Sequence, residues 1–342
     1  MTEAIPDPNA PKVKNPKSAD KPPRGTFGQF WRLSIRILLI APVLAAVFIY
    51  MPGPLRDTAT VIVPHGSKVY DIAASLDASG VTINPVVFRL AAKLLAKDSL
   101  QAGEYEFVPH QSVASVVEEM HEGHSVVRLF TAAEGMTSAA IVDALGDIPL
   151  AGAITAPPSE GSLLPESYRY SWGDSRAGLI ARMQKGMQET LNGLWAKRDE
   201  SVPLKSPQEA LIMASVIEKE TGKAEERPRI ARVFYNRLQH SMRLQSDPTV
   251  IYAITQGKGP LDHPLGHSDL AVTSPYNTYT NDGLPPGPIC NPGRAAIEAA
   301  LHPEPNDYFY FVADGTGGHV FAKDLAEHNQ NVAKWSAMKV KP

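Results

Sequence analysis

Cysteine is almost missing from this chain: Cys290 is the only one in 342 residues. That excludes an intrachain disulfide and any zinc site built on cysteine thiolates. Neither sign of charge dominates, with 33 Lys and Arg against 36 Asp and Glu for a net charge of −3. There is therefore no basic field to hold a nucleic acid. No glycine-rich phosphate loop, dinucleotide fingerprint or H-E-x-x-H occurs, and no G-x-S-x-G. His263 and His267 stand four apart, but Pro264 and Gly266 forbid a regular helix there and no third ligand presents itself. They read as loop histidines. Cys290 lies between two prolines without a local base, and Ser215 has no histidine beside it. These absences remove serine hydrolases, zinc peptidases and nucleotide enzymes, and no metal or cofactor is expected.

The length suits two domains. Residues 1–32 are rich in Pro, Lys and Asp and read as a disordered tail. Residues 33–53, LSIRILLIAPVLAAVFIYMPG, are long enough to cross a bilayer. Trp31 and Tyr50 suit its two interfaces, Arg36 can snorkel, and Pro42 is tolerable in a membrane helix. Lys12, Lys14, Lys17, Lys21, Arg24, Arg32 and Arg36 precede or open the run, against Arg56 and Lys68 after it. The positive-inside rule then leaves the tail in the cytoplasm and exports the rest. A cleaved signal peptide is the other reading. The long tail and the lack of an A-x-A site before Pro52 favour an uncleaved single-pass anchor.

Beyond the anchor the pattern is α+β. Residues 57–131 form a small unit, with strands expected over 58–63, 105–108 and 126–130 and helices over 66–78, 84–95 and 112–121. Nothing in it resembles a catalytic constellation. Residues 132–338 form a larger mixed α/β domain. Helices are expected from Thr137, over 176–197, 206–222, 227–240 and 294–301, with strands over 308–313 and 319–322 and a last helix carrying Glu327-His328-Asn329. The stretch between 241 and 293 reads as loops.

The helix at 206–222, SPQEALIMASVIEKETG, breaks local rules. Ser206 caps it, Pro207 suits its first position and Glu209 completes a capping box. Ala210 to Ile217 make it apolar almost all round, hence core. Yet Glu218 and Glu220 occupy its last turn, where carboxylates oppose the helix dipole and burial penalises them. At 100° per residue they point to nearly opposite sides, Glu218 between the directions of Leu211 and Ala214 and Glu220 between Val216 and Met213. Glu218, with apolar flanks, is the expected carboxyl of raised pKa, suited to general acid catalysis. Simple pairing with Lys219, Lys223 or the following arginines is the alternative. After the helix, Gln245, Asp247, Tyr252, Tyr276, Asn277, Thr278, Tyr279 and Asn291 supply rings, amides and carboxylates of the kind that hold sugars. Turn chemistry explains the same residues. A glycan-cleaving enzyme needs a protonated carboxyl at the scissile oxygen, and no spacing identifies a second carboxylate among Asp247, Glu220 and Glu166.

EGSLLPESY, ASVIEKETG, RVFYNRL, LQSDPTVIYAI, SPYNTY, GLPPGPICNPG, YFYFVA and EHN, in this order over 160–329, resemble the endolytic murein transglycosylases of the YceG-like (MltG) family. LQAGEYEF, Glu134-Gly135 and the N-terminal anchor also fit. The resemblance implies a LysM-like domain over 57–131 and a catalytic domain over 132–338. It implies a lyase of the inner membrane that cuts the β-1,4 bond between N-acetylmuramic acid and N-acetylglucosamine in nascent peptidoglycan strands. The product is a 1,6-anhydro-muramyl end, and the cut terminates elongation near penicillin-binding proteins. The resemblance places the catalytic glutamate on Glu218, acting first as acid and then as base, with Glu220 in a supporting place. A non-catalytic, anchored peptidoglycan-binding scaffold would share the first half of the chain. It would not account for the two glutamates beside an aromatic, polar loop.

Overall fold

The structure, a computed structural model, describes residues 39–339. Two compact units emerge, one gathering residues up to 61 with 67–101 and 106–123, the other 62–66, 102–105 and everything from 124.

The first unit opens with helix α1 over 39–50, where Leu39, Val43, Leu44 and Val47 are exposed. Residues 33–38 of the expected anchor lie outside the described residues, and among those described no helix is long and apolar enough to cross a membrane. Strands β1 (Ala59–Val63) and β2 (Gly103–Phe107) form a two-stranded sheet. Helix α3 (Pro85–Leu95) packs on both α2 (Val69–Ala78) and α4 (Val113–Glu122). Their limits follow from local chemistry. Asn84 accepts the Val86 N–H ahead of Pro85, Ser112 accepts the Ser115 N–H, and Gly123 ends α4 in the left-handed region at φ 75°.

In the second unit β3 (Val127–Thr131) pairs antiparallel with β4 (Ser167–Ser171), Val127 opposite Ser171 and Thr131 opposite Ser167. The sequence reading closes the first domain at 131, whereas this pairing ties β3 to the second unit. β4 was not expected, because only Tyr170 of SYRYS is buried and no apolar alternation marks the strand. Phe130 and Tyr170 share a core with Ile141 and Leu145 of α5 (Ser138–Gly146) and Leu179 and Met183 of α6 (Arg176–Trp195). Arg176 organises the proline-rich loop beside them. Its guanidinium donates to the carbonyls of Leu145, Gly146, Ile148, Leu150 and Gly152, which serves the open end of α5.

The main core is built around α7 (Pro207–Glu220), with every residue from Ala210 to Ile217 buried. Ser206 accepts the Glu209 N–H at 3.2 Å, while the Glu209 carboxylate turns to the Lys205 N–H at 2.6 Å. The capping box is thus shifted by one residue. α7 ends at Thr221 in extended conformation, so Gly222 is not the left-handed stop its position suggests. α10 (Arg294–Leu301) and α8 (Arg227–Gln239) pack on α7. A hairpin of β5 (Tyr310–Ala313) and β6 (His319–Ala322) carries α11 (Leu325–Lys339). Helix α9 (Asp247–Thr255) replaces part of the expected loop. Asp247-Pro248 reads as a turn signal, but after Ser246 the same pair opens a helix.

Candidate active site

The last turn of α7 sends its two glutamates apart, as 100° steps require, and their surroundings differ. Glu218 faces α8 and the segment before α10. Arg227 Nη2 donates to one carboxylate oxygen at 2.9 Å and the Gly293 N–H to the other at 2.9 Å. The same guanidinium reaches Glu134 at 3.4 Å. Side-chain exposure is 5 % for Glu218 and 9 % for Arg227. Burial raises the Glu218 pKa, opposed by the Gly293 N–H and Arg227. A Cβ at 293 would meet the Glu134 carboxylate, which would have to swing aside. Both oxygens of Glu218 are held by donors, Arg227 on one and the Gly293 N–H on the other.

Glu220 faces the other way, into a cavity of about 390 Å³. Gln245, Asp247, Tyr279, Arg237, Tyr310, His328 and Asn329 share its wall. The carboxyl group is enclosed, and burial pushes its pKa up to about 7. The Ser246 hydroxyl, donating to Oε1 at 2.5 Å, opposes that rise, the negative charge of Asp247 adds to it, and Arg237 opposes it. Burial thus raises the pKa of both glutamates, Glu218 beside Arg227 and Glu220 beside Ser246.

The loop at 244–249 holds this geometry. Gln245 adopts φ 51°, a left-handed conformation uncommon for a residue with a side chain. Its N–H donates to the Thr278 carbonyl at 3.2 Å, and the next N–H, of Ser246, donates to Thr278 Oγ1 at 3.0 Å. Thr249 Oγ1 donates to the Ser246 carbonyl and meets Thr278 Oγ1 at 2.8 Å. Ser246 is thereby aimed at Glu220. Across the cavity the Tyr279 hydroxyl donates to Asp247 at 2.5 Å. Burial and Asp247 push that phenol up.

The cationic side is equally fixed. Arg237, half-way out of α8's last turn, donates from Nε to the Phe309 carbonyl at 2.7 Å and from Nη1 to that of Leu244 at 2.8 Å. Its guanidinium lies over the Tyr310 ring, 5.2 Å from the centroid. Burial lowers its pKa. His328 stacks on the other partner, Tyr310, at 5.0 Å and 26°. Its buried Nδ1 has no hydrogen-bond partner among the described residues, and burial, with Arg237, lowers its pKa.

The six residues expected to bind substrate do not converge. Gln245 and Asp247 line the Glu220 cavity. Asn277 and Thr278 are fully buried. Asn277 Nδ2 donates to the Leu270 and Val272 carbonyls and its Oδ1 accepts the Tyr279 N–H. These two side chains brace the loop rather than face a ligand. Tyr252 and Tyr276 pack ring to ring at 4.9 Å on the far side of α9, and Tyr252 lines a separate cavity of about 400 Å³. His263, exposed, sits between Asp262 and Asp269. No group of three or more His, Cys, Asp or Glu among the described residues could hold a metal ion.

Sequence reasoning overlooked Ser246, Arg237, Tyr310 and the placement of His328 and Asn329, and it set Glu220 aside. A usable signal existed in the Glu327-His328-Asn329 stretch, polar and placed in the first turn of the chain's final helix. It also overlooked Glu160, which accepts the Ser138 N–H at 2.8 Å and lies 3.2 Å from Nδ2 of the buried Asn291.

Comparison with known proteins agrees with this architecture. The family description "YceG-like family" matches residues 61–334. A Bacillus subtilis protein named endolytic murein transglycosylase is 33 % identical over 320 residues, 83 % of this chain and 86 % of the relative. One of the same name from Streptococcus pneumoniae is 31 % identical over 82 % of this chain, and the match covers 58 % of that longer protein. A crystal structure of a YceG-like protein from Listeria monocytogenes superposes with a TM-score of 0.52 at 33 % identity, covering 80 % of this chain and 98 % of that one. The family match spans most of the chain and the relatives cover more than four fifths of it, and the chain belongs to the YceG-like family.

Proposed function

We propose that this protein is an endolytic murein transglycosylase in which Glu218 is the acid and base. The observation that supports the reading is the Glu218 carboxyl, 5 % exposed at the end of a core helix, whose pKa burial raises while Arg227 and the Gly293 N–H hold its two oxygens. A carboxyl of raised pKa can both give and take a proton. Protonated Glu218 delivers its proton to the oxygen joining muramic acid to N-acetylglucosamine. The bond from that oxygen to the anomeric carbon breaks, and the leaving sugar departs with a free 4-hydroxyl. The Glu218 carboxylate then removes the proton from the muramic C6 hydroxyl as that oxygen closes on the anomeric carbon, leaving a 1,6-anhydro end and a reprotonated Glu218. No water enters the balance, and one carboxyl suffices. Arg227 and Gly293 keep the Glu218 carboxyl aimed. Glu220, bonded to Ser246, supports the end of the helix from its other side.

The apolar run 33–53 anchors the protein in the inner membrane with its N-terminus in the cytoplasm, and the catalytic unit works outside. There it cuts growing strands, ends their elongation and acts beside penicillin-binding synthases. The test is digestion of purified murein by the wild type and by Glu218→Gln, read by mass spectrometry. The wild type releases anhydro-muramyl ends and the variant releases none. Reducing muramic ends from the wild type would make it a hydrolase, and full activity in the variant would remove Glu218 from the chemistry.

A further inference from the structure

Helix α3 of the first unit is apolar on two sides. Phe88, Ala91 and Ala92 are buried, where the helix packs on α2 and α4. Val86, Leu90 and Leu94, set four residues apart, leave the helix on the opposite side, within about 80° of one another. All three are exposed, Val86 and Leu94 at 60 % and 63 %. Exposed Ile83 extends the row ahead of the helix. Arg89 and Lys93, also exposed, run along one flank of it, and Lys97 follows just past the helix end. The Arg89 guanidinium lies over the exposed Tyr70 ring, 5.7 Å from its centroid. Single exposed apolar residues are ordinary, whereas a continuous row of them marks an interaction face.

The course of the chain says what lies opposite this face. Helix α1 carries most of the apolar run 33–53, and the chain is clamped to the first unit directly after it. The Gly53 N–H donates to the His110 carbonyl at 3.2 Å, and the His110 N–H donates to the Leu55 carbonyl at 3.0 Å. A Cβ at Gly53 would collide with the Gln111 carbonyl and touch that of Val81 at 3.4 Å. Val81 stands two residues before Ile83, where the exposed row begins. Met51 and Pro52 separate α1 from the clamp, a reach of about 10 Å at full extension. The row therefore starts beside the point where the apolar run ends. Its chemistry suits the same surroundings. Uncharged glycan gives a cationic flank nothing to pair with, whereas phosphodiester headgroups do, and the acyl chains beneath them take leucine and valine.

We propose that α3 lies on the outer surface of the membrane, with Ile83, Val86, Leu90 and Leu94 at the acyl boundary and Arg89, Lys93 and Lys97 on the phosphates of anionic phospholipids. The proposal rests on the reading of 33–53 as an anchor, and it gives the first unit a footing on the bilayer in addition to that anchor.

The full-length protein would be reconstituted into vesicles of phosphatidylcholine and phosphatidylglycerol. An environment-sensitive fluorophore would be placed on Leu90→Cys or, as reference, on Glu118→Cys, an exposed position of α4. The native Cys290 is buried and escapes labelling. Flotation of the vesicles reports the anchor. The label at 90 should be quenched by brominated acyl chains and be several-fold less accessible to aqueous iodide than the label at 118. Omitting phosphatidylglycerol, or introducing Arg89→Gln/Lys93→Gln/Lys97→Gln, should return iodide access at 90 towards that at 118 while flotation persists. Protein that floats with the label at 90 as open to iodide as the label at 118 would overturn the membrane face and leave the anchor standing. Shielding at 90 that appears only when murein sacculi are added would overturn it too and give the row to the cell wall. Protein that does not float would overturn both readings.

Discussion

Glu220→Gln should make the protein more stable above neutral pH. In the unfolded chain this carboxyl loses its proton near its ordinary value of 4.5, and in the folded protein near 7. Between those values the folded state holds a proton that the unfolded state has released, so stability falls as pH rises through that window and levels off above it. At about 1.36 kcal/mol per pH unit the full loss is about 3 kcal/mol. Glutamine carries no charge at any pH and still accepts the Ser246 hydroxyl, so the variant escapes the loss. For a unit of this size, about 2–4 °C per kcal/mol corresponds to a Tm roughly 8 °C above wild type at pH 8, shrinking to nothing near pH 4.5. Glu218→Gln should behave in the opposite sense. It leaves the buried guanidinium of Arg227 with the half-exposed Glu134 at 3.4 Å as its remaining anion, a loss of about 2–3 kcal/mol at pH 8. Thermal unfolding of both variants at pH 5 and pH 8, beside murein cleavage at each pH, decides the matter. A Glu220→Gln protein no more stable than wild type at pH 8 would refute the buried-acid argument, and a stabilised Glu218→Gln would refute the ion-pair argument.

Two further outcomes follow from the same geometry. The Gly293 N–H and the positive charge of Arg227 hold the Glu218 pKa down, so Arg227→Gln should move the alkaline limb of the pH–kcat/KM profile to higher pH; an unmoved limb would deny that coupling. Asn291 is fully buried, accepting the Leu163 N–H and donating to the Met136 carbonyl. Asn291→Ala strands the Leu163 N–H, while the backbone N–H of residue 291 still serves the Met136 carbonyl, and should lower stability by about 2 kcal/mol in urea unfolding; a loss below about 1 kcal/mol would mean that another acceptor reaches the Leu163 N–H.

Periodicity shows where side chains leave a helix, so the opposite headings of Glu218 and Glu220 were legible from spacing. What each meets is decided by residues far along the chain. Arg227 and Gly293 close on Glu218 from 9 and 75 positions away, and Ser246 and His328 come to Glu220 from other elements. Apolar flanks mark Glu218 in the sequence, whereas the guanidinium beside it comes from the next helix. Nothing local distinguishes a carboxyl that faces a cavity from one that faces an arginine.

The chain's own order of residues settles the elements whose causes are local. The capped core helix at 206–220, the Gly123 stop, the strands at 310–313 and 319–322 and the mixed α/β character all follow from propensity, capping and apolar spacing. The motif order also marks the family. Tertiary structure alone decided that β4 pairs with β3, that Asp247-Pro248 opens a helix, that Asn277 and Thr278 turn inward, and that Glu220 meets the cavity. Each of those depends on which distant groups desolvate or neutralise a side chain. That is a property of neighbours in space, and no window of sequence contains it.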